Sequence, residues 1–335
     1  MKKKLAMVVL WLAALAACLL LLDRVMRRDD SARKYGAFFA EEQGFDVLFF
    51  GTSRMLDGVS PMELWRETGV TSYNMGNNSE PLGMTRLVME AAFDTHTPKV
   101  AVIDVFYVAH ALDEAWTYAF RHLFLDALPL SRGKIELVRA ALPEGERLEF
   151  LMPFSLYHGR WDELLSGRAE RLVDCEPFMM GGELRIGRTQ RDNYTLTDEQ
   201  AEGELPGMQA LEDIAALCRA RGVEPVFVAL PGHASNDEQR AMNSVARLAG
   251  ALDVPFVNMM RMGIIDSRTD CYDWQGHLNP DGASKVTAYL GAWLTERYAL
   301  TDRRGDPAYA HWDENLALYE AYRAEAWTQS EAAGT

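Results

Sequence analysis

Five short apolar runs, none showing the polar alternation of a half-solvated strand, set the frame for this chain. Asp46-Val-Leu-Phe-Phe50 stops at Gly51, Val70 to Asn74 runs into an Asn/Gly loop, and Val100-Ala-Val-Ile-Asp104 ends on an acid. Pro225 to Leu230 and Val254 to Val257 follow much later. Continuous apolar character is what a strand buried on both faces requires. Helix signals stand between these runs. Ser60-Pro61-Met62-Glu63 combines a capping box with proline at the first helical position, and Gly69 closes that helix. Pro81 to about Thr95 reads as a second helix, Ser235 and Glu238 form another capping box, and a last helix starts near Pro280 and runs through Tyr298. Strands alternating with helices predict an α/β fold: a doubly wound parallel sheet of about five strands, flavodoxin-like, with helices on both faces. Such sheets place ligands at the carboxyl ends of their strands.

Segment 107–204 interrupts this rhythm. It reads as largely helical and is rich in aromatics: Tyr107, Trp116, Tyr118, Phe120, Phe124, Phe150, Phe154, Tyr157 and Trp161. Two descriptions fit it, an insertion covering the sheet edge as a lid, or a helical subdomain with its own small core. The tail 301–335 is polar and is expected to be a surface appendage. The expected organisation is therefore 1–28 as a stub and membrane helix, 29–300 as the α/β domain with its insertion, and 301–335 as the tail.

Lys2, Lys3 and Lys4 precede an uninterrupted apolar run from Leu5 to Leu22, which Asp23 and Arg24 end. As a helix this run is roughly 27 Å long, close to the hydrocarbon thickness of a bilayer. The lysines favour a cytoplasmic N-terminus and so an extracytoplasmic main domain, although Arg24, Arg27 and Arg28 pull the other way. A retained signal anchor fits the length of the run better than a cleaved signal peptide, whose apolar core is typically ~7–15 residues. Leu15-Ala16-Ala17-Cys18 would also suit lipid attachment at the cysteine, but Leu19 to Leu22 continue the apolar run where a lipidated chain turns polar.

Acidic residues outnumber basic ones 49 to 34, for a formal net charge of -15. That balance argues against a nucleic-acid partner, because a phosphate backbone is held largely by Lys and Arg. Cys18, Cys175, Cys218 and Cys271 are too widely spaced for a disulfide framework or a zinc ribbon. Neither a structural metal nor a cofactor is expected.

Three segments carry candidate chemistry. Gly51-Thr52-Ser53-Arg54 directly follows the first strand, where a serine on a tight turn displays its hydroxyl at the sheet edge and its own N–H can help hold an oxyanion. Tyr73-Asn74-Met75-Gly76-Asn77-Asn78-Ser79 follows the second strand, with Gly76 allowing close backbone approach and the asparagines offering amide donors. Asp273-Trp-Gln-Gly-His277-Leu-Asn-Pro-Asp-Gly282 precedes the last helix, and a carboxylate there can orient an imidazole that accepts the serine proton. Each segment alone is ordinary turn or cap chemistry. Together, in a doubly wound sheet, they can converge on one edge. Arg54 suits either an anionic substrate group or a structural salt bridge. His158 and Trp161 suit either a pocket wall or a packed helix end, and His233 lies on the correct edge without an evident partner.

The order Gly51-Thr-Ser-Arg54, Asn74-Met-Gly76, then Asp273…His277-Leu-Asn279…Gly282 resembles the SGNH/GDSL hydrolase superfamily over roughly 45–300. Within it, the chain resembles the membrane-anchored extracytoplasmic branch that includes the D-alanine transfer protein of teichoic acid biosynthesis and the alginate O-acetylation proteins. The resemblance implies Ser53 as nucleophile, His277 as general base and Asp273 as its orienting acid. It also implies Gly76 and the Ser53 N–H as oxyanion donors. The expected activity is ester hydrolysis or O-acyl transfer on an acylated glycan or teichoic-type polymer of the cell envelope, beside an envelope-modifying membrane partner. Two departures stand out. Three residues separate Asp273 from His277 where many members have two, which makes Asp270 a rival orienter. Asp104-Val-Phe-Tyr107 also replaces the Gly-x-Asn-Asp block after the third strand, leaving Asn78 or Asn77 as the amide donor. These departures motivate a second reading, a non-catalytic binding or assembly component of a polymer-modifying membrane complex.

Overall fold

The structure, a computed structural model, describes residues 2–110, 118–166, 173–191 and 195–333. Trp116 lies outside them. Five parallel strands form one sheet: β1 (Val47–Phe50), β2 (Ser72–Asn74), β3 (Val100–Asp104), β4 (Glu224–Ala229) and β5 (Phe256–Asn258). Their order is β2-β1-β3-β4-β5, the flavodoxin-like arrangement the alternating sequence predicts. Central β1 is fully buried, and its residues divide between two apolar layers. Leu48 and Phe50 join the core on one face of the sheet, whereas Val47 and Phe49 join the core on the other. This two-sided burial is the physical reason β1 reads as a continuous apolar run.

Two strand boundaries differ from expectation. β2 starts at Ser72 rather than Val70, because the Thr71 carbonyl accepts from both Asp46 N–H (3.0 Å) and Val47 N–H (3.2 Å), leaving the ladder to begin one residue later. β5 starts at Phe256 rather than Val254, because Val254 N–H turns back to the Ala249 carbonyl at 2.9 Å and closes the preceding helix. The helix signals behave as their chemistry requires. Ser60 caps the Pro61–Thr68 helix, and Gly69 ends it in the left-handed region at φ 69°. Ser235 and Glu238 complete a reciprocal capping box, and Asn279 caps the Pro280–Arg297 helix.

Glu63 does not close the Ser60 box. Its Oε1 instead accepts from Arg323 Nη1 at 2.6 Å, a residue of the tail. That tail is more than a polar appendage, since it forms the helix Ala310–Ala333 and buries Trp312 completely. The Trp312 ring lies 5.2 Å from that of Trp65, and Tyr319, two turns further along, is also buried. Two aromatics at helical spacing within a polar stretch are enough to dock it.

The insertion is helical at Tyr118–Ala127, Arg132–Ala141 and four shorter segments up to Ser166, the first of them a 3-10 turn. Its Leu123, Phe124, Val138 and Phe150 belong to the same apolar core as Leu48 and Phe50, so it extends one face of the domain rather than holding a core of its own. The Lys2–Met26 helix is long and apolar enough to cross a membrane and is exposed along its apolar length except at Leu19 and Leu22, which are half-buried. Only at its lower end do Asp23 and Met26 become buried.

Truncating Trp312 to alanine removes a fully buried indole from the seam between tail and domain. The expected result in urea unfolding is a loss of about 3–5 kcal/mol. A loss below about 1 kcal/mol would mean that the tail does not contribute to the folded domain.

Candidate active site

β1 delivers the chain to the carboxyl edge of the sheet at Gly51, which adopts φ 141°. A Cβ there would come within 2.6 Å of Asp104 Cβ, so only glycine lets the turn after β1 press against the end of β3. Thr52 then caps the short helix Ser53–Gly58: its hydroxyl accepts from Arg54 N–H and donates to Asp104 Oδ2 at 2.9 Å. Ser53 is the first residue of that helix, where a backbone N–H has no intrahelical acceptor. Asp104 is completely buried. Burial pushes its carboxyl up to about 6, and the Thr52 hydroxyl, the Arg54 charge and nearby backbone N–H groups offset only part of the shift.

The loop before the last helix reaches the same edge. Ser53 Oγ lies 2.7 Å from His277 Nε2, and His277 Nδ1 lies 2.6 Å from Asp273 Oδ2. With the proton on Nδ1, facing the carboxylate, Nε2 is left to accept from the serine hydroxyl. The three-residue spacing is absorbed within the loop. Asp273 Oδ1 accepts the N–H groups of Gln275 and His277, both at 3.0 Å, and Gly276 takes φ 81°. A Cβ on Gly276 would lie 2.1 Å from His233 N, so this loop also needs glycine to pack. Burial acts to raise the Asp273 carboxyl, but hydrogen bonds and charge from His277, with the loop N–H groups, hold it below its ordinary value. Asp270 is committed elsewhere: its Oδ2 pairs with Lys285 Nζ at 2.6 Å and accepts from Asp266 N–H at 2.8 Å.

Tyr272 supports the imidazole in a way its sequence context does not announce. Its ring stacks on that of His277, with centroids 5.8 Å apart and planes at 19°, and its N–H donates to the His277 carbonyl. Its hydroxyl donates to Asp57 Oδ2 at 2.9 Å. Burial, reinforced by the nearby Glu183 charge, drives the Asp57 carboxyl well above its ordinary range. The bond ties the end of the Ser53 helix to the residue whose ring lies against His277.

The remaining expected site residues are placed differently. Asn74 is completely buried; its Nδ2 donates to the carbonyls of Met55 (2.7 Å) and Val59 (2.8 Å), and its Oδ1 accepts Gly76 N–H at 2.9 Å. The Gly76 amide is thus engaged inside its own loop, not directed freely at an oxyanion. What Gly76 provides is proximity, since a Cβ would sit 2.8 Å from Leu56 N of the Ser53 helix. Asn77 donates its N–H to the Gly51 carbonyl at 2.9 Å and its side chain to the Phe120 carbonyl at 3.3 Å, whereas Asn78 is half-buried in the same loop. Arg54 is buried, stacked over the Phe106 ring at 3.7 Å, and its Nη2 donates to the carbonyls of His233 and Gln275. It works inside the protein, through backbone carbonyls. His233 sits in the same clamp, with Nδ1 3.4 Å from the Trp274 carbonyl. His158 and Trp161 lie in the stretch packed on the lower end of the N-terminal helix, where neighbouring Arg160 donates to the Met26 carbonyl. Among the described residues, no cluster of His, Cys, Asp or Glu could hold a metal ion.

No family model matches this chain, and no curated protein matches it. Among solved structures it is similar to a GDSL-like lipase from Bacteroides thetaiotaomicron, at 11% identity and a TM-score of 0.38, over 78% of this chain and 96% of that one.

The buried Asp104 gives a pH signature. Its folded-state value of about 6 exceeds the ordinary 3.8, so the folded protein holds this proton more tightly than the unfolded chain does. Its contribution to stability therefore falls as pH rises from about 4 to about 6 and is constant above that, a change on the order of 2–3 kcal/mol. Asp104→Asn keeps an acceptor for the Thr52 hydroxyl and does not titrate. Relative to wild type, the variant is expected to gain stability across that window in urea unfolding. A difference independent of pH would contradict this account of Asp104.

Proposed function

We propose that this chain is a serine acyl-ester hydrolase or O-acyltransferase of SGNH/GDSL type. The observation that carries the proposal is the continuous chain of short contacts from Ser53 Oγ through the His277 ring to Asp273, at 2.7 Å and 2.6 Å. In this reading Ser53 Oγ attacks the acyl carbonyl while His277 Nε2 takes its proton, and Asp273 stabilises the imidazolium that forms. The tetrahedral oxyanion is held by the Ser53 N–H, which has no helical acceptor, together with the Asn78 amide. On collapse, His277 returns the proton to the leaving oxygen. Water or a glycan hydroxyl then takes the acyl group by the reverse steps.

The Lys2–Met26 helix supports work at a membrane surface, and the lysines preceding its apolar run favour an extracytoplasmic domain. The substrate class that fits this reading is an acylated polymer of the cell envelope, a glycan or a teichoic-type chain. A second reading, a binding or assembly component without turnover, is favoured by one feature. The Gly76 N–H is taken by Asn74 at 2.9 Å.

A fluorophosphonate probe separates the two. Labelling of wild type, lost in Ser53→Ala and reduced about 10⁴-fold in rate in His277→Ala, is expected if Ser53 is an activated nucleophile. Folded wild-type protein that labels no faster than Ser53→Ala would favour the binding reading.

A further inference from the structure

Outside the N-terminal helix, ten large apolar side chains are exposed among the described residues, and five of them fall in the single stretch 148–165. They are Leu148, Met152, Leu156, Trp161 and Leu165, with Leu165 85% and Leu148 67% exposed. The spacing is helical. Leu148 and Met152 flank one turn closed by the Met152 N–H to Leu148 carbonyl bond at 2.9 Å, and Trp161 and Leu165 lie four apart on the Trp161–Ser166 helix. Residues four apart share a helix face.

This stretch sits at the point where the apolar helix ends. Asp23, the first charged residue after Leu22, accepts Phe154 N–H on Oδ1 at 2.7 Å. Arg160 Nη1 donates to the Met26 carbonyl at 2.9 Å, and Arg27 Nη1 donates to the Asp126 carbonyl at 2.5 Å. Leu19 and Leu22, inside the apolar run, are only half-exposed, whereas Leu20 and Leu21 are open. The insertion is therefore fastened to the helix at the depth where hydrocarbon gives way to headgroups. An exposed Trp among aliphatic residues is the composition of a bilayer interface. Asp162, exposed, and Glu149, half-buried, limit the immersion of this stretch to that polar layer.

We infer that the 148–165 stretch rests on the lipid surface from which the Lys2–Met26 helix emerges, with these five side chains in the headgroup layer. The domain is then held in one stance on the bilayer instead of swinging on a free tether. This inference rests on the helix crossing a membrane, and the experiment keeps the two apart.

The full chain carrying Cys18→Ser is given single cysteines at Leu12, Leu156, Leu165 or Asp237. Each is labelled with an environment-sensitive fluorophore and reconstituted in phosphatidylcholine–phosphatidylglycerol vesicles. The three remaining native cysteines are buried and stay unlabelled in the folded protein. Doxyl lipids are expected to quench the labels at 12, 156 and 165 and to spare the label at 237. Quenching at 12 with water-like labels at 156 and 165 would overturn the lipid contact and leave the anchor intact. No quenching at 12 would overturn the anchor and the inference with it. Labels at 156 and 165 that are shielded in native membranes but not in pure lipid would assign the surface to a protein partner and overturn the lipid assignment.

Discussion

The candidate site depends on a buried guanidinium. Arg54 follows the serine directly, yet it reaches the carbonyls of His233, after β4, and Gln275, inside the Asp–His loop. A buried cation is tolerable only when its donors meet acceptors, and stacking on Phe106 covers one face of the group. Satisfying Arg54 therefore requires the Ser53 helix, the segment after β4 and the His277 loop to be docked together. Segments more than 200 residues apart meet through this requirement, and the 2.7 Å contact between Ser53 and His277 is set within it.

Two further ties surround the same junction. Thr52 and Asp104 lock the turn before the serine to the end of β3, and Tyr272 and Asp57 lock the helix after it to the platform beneath His277. Both use a carboxyl that burial holds above its ordinary value. Glycines at 51, 76 and 276 let the backbones approach at distances that a Cβ would forbid. The serine and histidine thus owe their geometry to buried neighbours, the arrangement that preorganised acyl-transfer chemistry requires.

The sheet was legible because its strands are buried on both faces: Val47 to Phe50 must be apolar at every position, and that leaves an unambiguous run. The helix starts were legible because caps are local chemistry, as at Ser60, Ser235 and Asn279. The meeting of Ser53, His277 and Asp273 could be anticipated from their positions at strand ends and before the last helix. Arg54 and Gly76 were harder. A guanidinium serves an anionic ligand or a buried carbonyl with the same atoms, and a glycine amide looks free in sequence until its acceptor, here Asn74 Oδ1, is known. Tyr272 gave no local signal, since its value comes from a ring contact and from Asp57, 215 positions away in the chain. The tail's docking was carried by Trp312 and Tyr319, two residues easily lost in a polar stretch.

If Ser53 is a nucleophile it forms a covalent bond to an acyl group, which mass spectrometry detects after a brief incubation of the protein with an activated acetyl ester. An added acetyl mass is expected on the peptide containing Ser53, accumulating in wild type and absent in His277→Ala. Folded wild-type protein with no acyl mass on Ser53, or with acylation confined to surface lysines, would contradict it.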